Sequence, residues 1–233
     1  MFYIVKSHDN RYLYLNEFLS SKYTCEYSYT LPTISVSKIV LPLEGIDEFG
    51  YIKGVNIKLE KILDDNKISE IYTGRINGKL KILSQKYNFT IFSFYEDMNY
   101  CKNEFLLKLD VIKLFLQEKL NTSFKDIKVL IVGCDYKAYL ASEKLGVDIF
   151  DKGSISNRSI KDFLSNNYDV IINFSSDDIS FMSDKLVVEM NDFSSIDLTI
   201  LLSSKNIYFI NQLINQYLTK SGGKILYDSM VKR

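Results

Sequence analysis

Tryptophan is absent from this chain of 233 residues, and histidine occurs once, at His8. A single histidine removes nearly every Ser/His or Cys/His catalytic pair and most multi-histidine metal sites. Acid–base chemistry would then fall to carboxylates, Lys or Tyr. Cys25, Cys101 and Cys134 are odd in number, far apart and without C-x-x-C spacing, so neither a disulfide framework nor a zinc site is expected, and a reducing compartment fits. Charge of one sign is missing too: 29 Lys and Arg face 29 Asp and Glu, interspersed and without a basic block. The electrostatic footprint of a nucleic-acid binder is therefore lacking. No segment approaches the ~18 uncharged apolar residues of a spanning helix, and the apolar run in Met1-Phe2-Tyr3-Ile4-Val5-Lys6 is too short for a signal peptide. The expectation is a cytoplasmic protein without metal, nucleic-acid or membrane partners. Apolar residues make up 46% of the chain, enough for the cores of two modest α/β domains.

What is present is concentrated between Lys128 and Asp151. Val129-Leu130-Ile131-Val132, closing on Gly133, is the pattern of a strand buried on both faces. A turn and a short helix, Tyr136 to Leu145, follow. Gly146 ends that helix, Val147 to Phe150 makes a second strand, and Asp151 stands close to the ~20-residue offset of the ribose-binding acid in a dinucleotide fold. Such a fold places three glycines in the turn. Here it reads Gly133-Cys134-Asp135-Tyr136-Lys137-Ala138, which keeps the first glycine, offers Ala138 for the third role and puts Asp135 where the backbone must meet two phosphates. Asp135 is placed to cap the helix itself and occupy the anion position. A self-capped, empty turn is the favoured reading, and dinucleotide binding is the alternative.

Along the rest of the chain, strands alternate with helices, which argues for parallel sheets. Strands are expected at Phe2 to Val5, Lys38 to Leu41, Glu70 to Gly74, Phe89 to Tyr95, Tyr168 to Phe174, Leu186 to Val188 and Ile207 to Ile210. Helices are expected at Arg11 to Ser21, Leu59 to Asn66, Asn103 to Leu120, near Ser159 to Ser165, and from about Gly222 to the end. Phe105, Leu106, Leu109, Ile112, Leu116 and Leu120 recur at three- and four-residue steps, so that helix bridges two domains. The fold class is α/β, with two Rossmann-like or flavodoxin-like parallel-sheet domains joined by a connecting helix. The boundaries are 1–104, 105–220 and a last helix over 221–233 that packs back on the first domain.

Six pieces, in order and spacing, resemble the A-subunit of dipicolinate synthase, the sporulation enzyme that makes dipicolinic acid. They are Ser7-His8-Asp9-Asn10-Arg11, Leu41-Pro42-Leu43-Glu44-Gly45-Ile46-Asp47, Ile71-Tyr72-Thr73-Gly74, Glu96-Asp97, Ile127 to Gly133, and Thr219-Lys220-Ser221-Gly222-Gly223-Lys224-Ile225-Leu226. The resemblance covers nearly the whole chain. It implies an NAD(P)-dependent oxidoreductase domain of Rossmann type behind an amino-terminal α/β domain, a cyclic dicarboxylate held between them, a flavoprotein-like second subunit, and possible assembly as a homo-oligomer. The departures sit at the chemistry. Besides the Gly133 turn, the family's Ser-Lys-Pro-Gly-Gly-like turn is Asn191-Asp192-Phe193-Ser194-Ser195, its Pro-Gly-Leu-Pro-Gly segment is Asn211-Gln212-Leu213-Ile214-Asn215, and its Pro-Thr-Ala-Glu is Leu107-Lys108-Leu109-Asp110. Glycine-bearing turns filled with bulky residues cannot keep the same path around a ligand.

The cofactor candidates are accordingly Gly133, Asp135, Ala138 and Asp151, with no catalytic residue assigned. The substrate candidates are Asp9, Arg11, Glu44, Gly45 and Asp47, at the strand ends of the first domain, where Arg11 would face a dicarboxylate. Ordinary capping and turn chemistry is the competing reading for these residues. Ser221-Gly222-Gly223-Lys224 lacks the full phosphate-loop spacing and reads as a helix-start turn. Two functions stay open: a working oxidoreductase subunit, and a catalytically silent binding or scaffold subunit.

Overall fold

The computed structural model describes residues 1–150, 168–175, 185–191 and 206–232. It divides into two compact units, Met1–Leu107 together with the stretch from Leu218 on, and Lys108–Tyr217.

In the first unit, β1 (Phe2–Val5), β2 (Cys25–Ser28), β3 (Lys38–Val40), β4 (Glu70–Thr73) and β5 (Thr90–Ser93) form one parallel sheet in the order β2-β1-β3-β4-β5. Phe2 pairs with Cys25 on one side and Lys38 on the other, so the chain reverses its direction of travel through the sheet beside β1. The period of two in β1 sorts its side chains between layers. Tyr3 and Val5 join the core with Ile39, Ile71, Ile62 of α2 (Leu59–Asp65) and Leu80 of α3 (Gly78–Tyr87). Phe2 and Ile4 join the opposite core with Tyr12 and Leu15 of α1 (Arg11–Ser20) and with Leu226 and Met230.

The second unit repeats the plan. β6 (Val129–Val132), β7 (Asp148–Phe150), β8 (Val170–Asn173), β9 (Leu186–Glu189) and β10 (Ile207–Phe209) form a parallel sheet in the order β10-β9-β8-β6-β7. Both sheets thus have the flavodoxin-like 2-1-3-4-5 order, in which ligands sit outside the carboxyl ends at the point of reversal. Helix α4 (Met98–Leu120) runs from one unit into the other. Then come α5 (Tyr136–Leu145), α6 (Ile210–Ile214) and α7 (Thr219–Val231).

Helix α5 has the bounds read from the sequence, stopped by Gly146 in the left-handed region at φ 68°. Elsewhere the pattern misled. β2 is an edge strand whose Cys-Glu-Tyr-Ser side chains are all half-buried, and α3 buries Leu80 and Leu83 as its apolar anchors, so neither shows a strong period. Helix α4 starts at Met98 because Asp97 Oδ1 accepts from the amides of Asn99 and Tyr100, at 2.9 and 3.3 Å. Ile210, read as the end of a strand, opens a helix. Helix α7 begins at Thr219, so Gly222 and Gly223 lie inside it. The helix expected near Ser159 to Ser165 falls outside the described residues. No helix among those described is long and apolar enough to cross a membrane.

Candidate functional site

At the carboxyl edge of the first sheet, the turn after β1 brings Asp9 and Arg11 together. Asp9 Oδ1 accepts from the Arg11 amide at 3.0 Å and from its Nε at 2.9 Å, and Oδ2 lies 2.7 Å from Nη2. Glu104, on α4, reaches Arg11 Nη1 at 3.2 Å. All three side chains are largely enclosed, with 10%, 19% and 14% of Arg11, Asp9 and Glu104 exposed. Burial opposes the guanidinium charge, and the two carboxylates more than offset it. Arg11 is thus a cation already holding two anions. The contact through Nη1 is the weaker of its arms.

The other substrate candidates divide. Gly45 shapes the edge: at φ +73°, a Cβ there would fall 2.7 Å from the Arg75 carbonyl oxygen and 3.2 Å from Thr73 Oγ1. Glu44 is exposed at this edge and acts electrostatically on Tyr12 and Tyr95. Asp47 is engaged within its own loop, where Oδ1 accepts from the amides of Phe49 and Tyr51, both at 2.9 Å.

Around Arg11 stand three tyrosines, Tyr12, Tyr95 and Tyr100, each within reach of its charge. Tyr12 is fully buried and donates to the Leu41 carbonyl at 2.8 Å. Tyr95 is 43% exposed, and the partial burial of its hydroxyl, then the nearby Glu104 charge, shifts that hydroxyl upward. Tyr100 is 2% exposed, and its hydroxyl has no hydrogen-bond partner. Glu104 escapes a reading of the sequence. Its signal is there nonetheless: it sits on the helix face of Tyr100, Leu107 and Val111, an acid in an otherwise apolar row.

At the carboxyl edge of the second sheet, Asp135 Oδ1 accepts from the Ala138 amide at 2.7 Å and caps α5. Gly133 and Ala138 meet where β6 runs under the helix: a Cβ on Gly133 would lie 3.1 Å from Ala138 Cβ and 2.8 Å from Phe174 Cβ. These two positions serve close helix–strand packing. The middle position does not fit a pyrophosphate, because a carboxylate takes the amide that a phosphate oxygen would take. Asp151 lies outside the described residues. Cys134 is an exposed free thiol.

Glu189, at the end of β9, is a further residue that the sequence does not single out. Its carboxyl group is fully buried and accepts from Asn173 Nδ2 at 2.9 Å and from the Asn191 amide and Nδ2, both at 3.0 Å. Asn191 and Asn173 also donate to the Ser175 carbonyl, at 3.0 and 3.1 Å. Burial raises the Glu189 carboxyl above its ordinary range, against the hydrogen bonds that favour its ionised form.

No protein-family model and no curated protein sequence matches the chain. Solved structures do match it. Dipicolinate synthase from Bacillus subtilis superposes with a TM-score of 0.66 at 11% identity, covering 99% of this chain and 94% of that one. The dipicolinate synthase A-subunit from Bacillus halodurans gives 0.67 at 15% identity, covering 100% and 97%. At such identities the likeness is one of fold, and it extends from end to end. It agrees with the resemblance carried by the six sequence pieces.

Proposed function

We propose that this protein is a binding subunit with the fold of the dipicolinate synthase A-subunit, that it takes a small cyclic dicarboxylate at the carboxyl edge of its first sheet, and that it does not use NAD(P). The observation that carries this reading is the 2.7 Å bond from the Ala138 amide to Asp135 Oδ1. Two charges about 4 Å apart at an effective dielectric of ~20 repel by about 4 kcal/mol, more than two decades in affinity. In the first unit, Arg11 Nη1 is the arm an incoming carboxylate can take, since a single 3.2 Å contact to Glu104 holds it. By the same reading the protein acts in the cytoplasm of a sporulating cell, beside a flavoprotein-like second subunit, as a catalytically silent relative.

Calorimetry with NADH and NADPH tests the cofactor half, and a thermal-shift titration with dipicolinate tests the ligand half. Absence of nucleotide binding together with a dipicolinate-dependent rise in Tm is the expected result. Micromolar affinity for either nucleotide would restore the working NAD(P)-dependent oxidoreductase instead.

A further inference from the structure

Tyr100 lies on α4 one turn before Glu104, and its ring is tilted against Phe94 at 5.4 Å between centroids and against Tyr95 at 6.3 Å. The ring is thereby fixed while its hydroxyl is left without a partner. A buried, unpaired hydroxyl forfeits its water and gains nothing in return, a cost that a fold of this kind has no packing reason to keep. Glu104, one turn along the same helix face, lies 3.2 Å from Arg11 Nη1, and the charges of Glu104, Arg11 and Asp9 bear on the Tyr100 hydroxyl, so it stands beside the Arg11 cluster rather than in plain core. Tyr100 also borders an open groove of 710 Å³ with Ser93, Asp97, Asn103 and Ser229, while its hydroxyl stays sealed from that groove on the side of Glu104 and Arg11 until the cluster opens. We infer that the Tyr100 hydroxyl is a further binding group of the first-unit site, donating to an oxygen of the bound ligand once Glu104 has moved off Arg11 Nη1. This inference rests on the proposed binding of a cyclic dicarboxylate at that edge.

The ligand this selects is one with two acceptor oxygens, one for Arg11 Nη1 and one for Tyr100. A carboxylate or a carbonyl fits, whereas a second cation would leave the phenol proton unpaired. Glu104 then acts as the competitor that holds Arg11 while the site is empty.

The test separates affinity from stability, using the full chain and dipicolinate as the probe. Tyr100→Phe removes a hydroxyl that satisfies nothing in the free protein, so its urea midpoint should equal or exceed that of the wild type. Its dipicolinate affinity should nevertheless fall about tenfold, the worth of one hydrogen bond. Glu104→Gln, which removes the competing charge, should bind more tightly than the wild type. A lowered midpoint for Tyr100→Phe, or dipicolinate binding at wild-type affinity, would overturn the inference and leave the binding reading in place. If neither the wild type nor Glu104→Gln binds dipicolinate, the binding reading itself falls, and the inference with it.

Discussion

Gly222 lies hard against Arg11: a Cβ on Gly222 would fall 2.5 Å from Arg11 Cδ and 2.9 Å from its Cγ. Gly223, beside it, would bring a Cβ to 2.7 Å from the Arg11 carbonyl oxygen and 3.0 Å from the Leu15 amide nitrogen. The two glycines let α7 close on α1 almost backbone to backbone. A stretch that invites comparison with a phosphate loop is therefore a helix-packing seam, and the same seam fixes the stem of the residue that organises the first-unit edge.

Gly223→Ala should destabilise the protein. The new methyl meets backbone atoms that cannot turn aside, an overpacking cost of about 1–3 kcal/mol. Helix propensity returns up to about 1 kcal/mol of that, so a net loss is expected. Gly222→Ala should also cost stability, because Arg11 is held by Asp9 and Glu104 and its stem cannot swing. Urea midpoints check both, and an unchanged midpoint for Gly223→Ala would refute the close seam.

Arg11→Ala should be more severe. It leaves the mostly enclosed carboxylates of Asp9 and Glu104 facing each other without a cation, and breaking a buried ionic cluster from one side costs about 3–5 kcal/mol. Adding Glu104→Gln to Arg11→Ala should recover part of the loss, since one of the two stranded charges is gone. A double-mutant cycle measures the coupling. Strict additivity would mean that Arg11 and Glu104 do not share the energy that their 3.2 Å contact implies.

The alternation of strands and helices, the α5 bounds and the Asp135 cap were legible because each rests on local signals: period, a capping side chain and a left-handed glycine. The same holds for Asp9 beside Arg11, two positions apart. Glu104 was not legible as a partner of Arg11, nor Tyr100 as a neighbour of that pair, because 93 residues separate Arg11 from Glu104 and only the packing of α4 beside the sheet edge joins them. Glu189 was hidden for a different reason. An acid at the end of an apolar run reads as a turn residue, and its burial depends on Asn173 and Asn191 supplying donors from neighbouring segments.

Asp135→Ala should lower stability by about 1 kcal/mol, the usual worth of a side-chain cap. Asp135→Gly should cost less, since glycine is tolerated at a helix N-cap, and it should not create NAD(P) binding. The other family turns remain Asn191-Asp192-Phe193 and Asn211-Gln212-Leu213 in that variant. Calorimetry on Asp135→Gly decides the matter: micromolar NADH affinity would show that one carboxylate alone closes the cofactor turn.

Glu189 makes the second unit sensitive to pH in a definite direction. Burial raises its carboxyl in the folded protein above the ordinary carboxylate value it has when unfolded. Between those two values the folded state holds a proton that the unfolded state has released, so stability falls as pH rises through the window. The contribution is fully present below the unfolded value and is lost above the folded one. Other carboxylates titrate nearby, and Glu70 shifts the opposite way, so the raw stability curve mixes several groups. Subtracting the curve of Glu189→Gln, which carries no titrating group there, isolates the one of interest. Wild-type minus variant stability, measured by urea unfolding in steps from pH 4 to pH 8, should decline with rising pH and then level off. A difference that stays flat or climbs over that range would show that the Asn173 and Asn191 hydrogen bonds to the ionised carboxylate outweigh its burial.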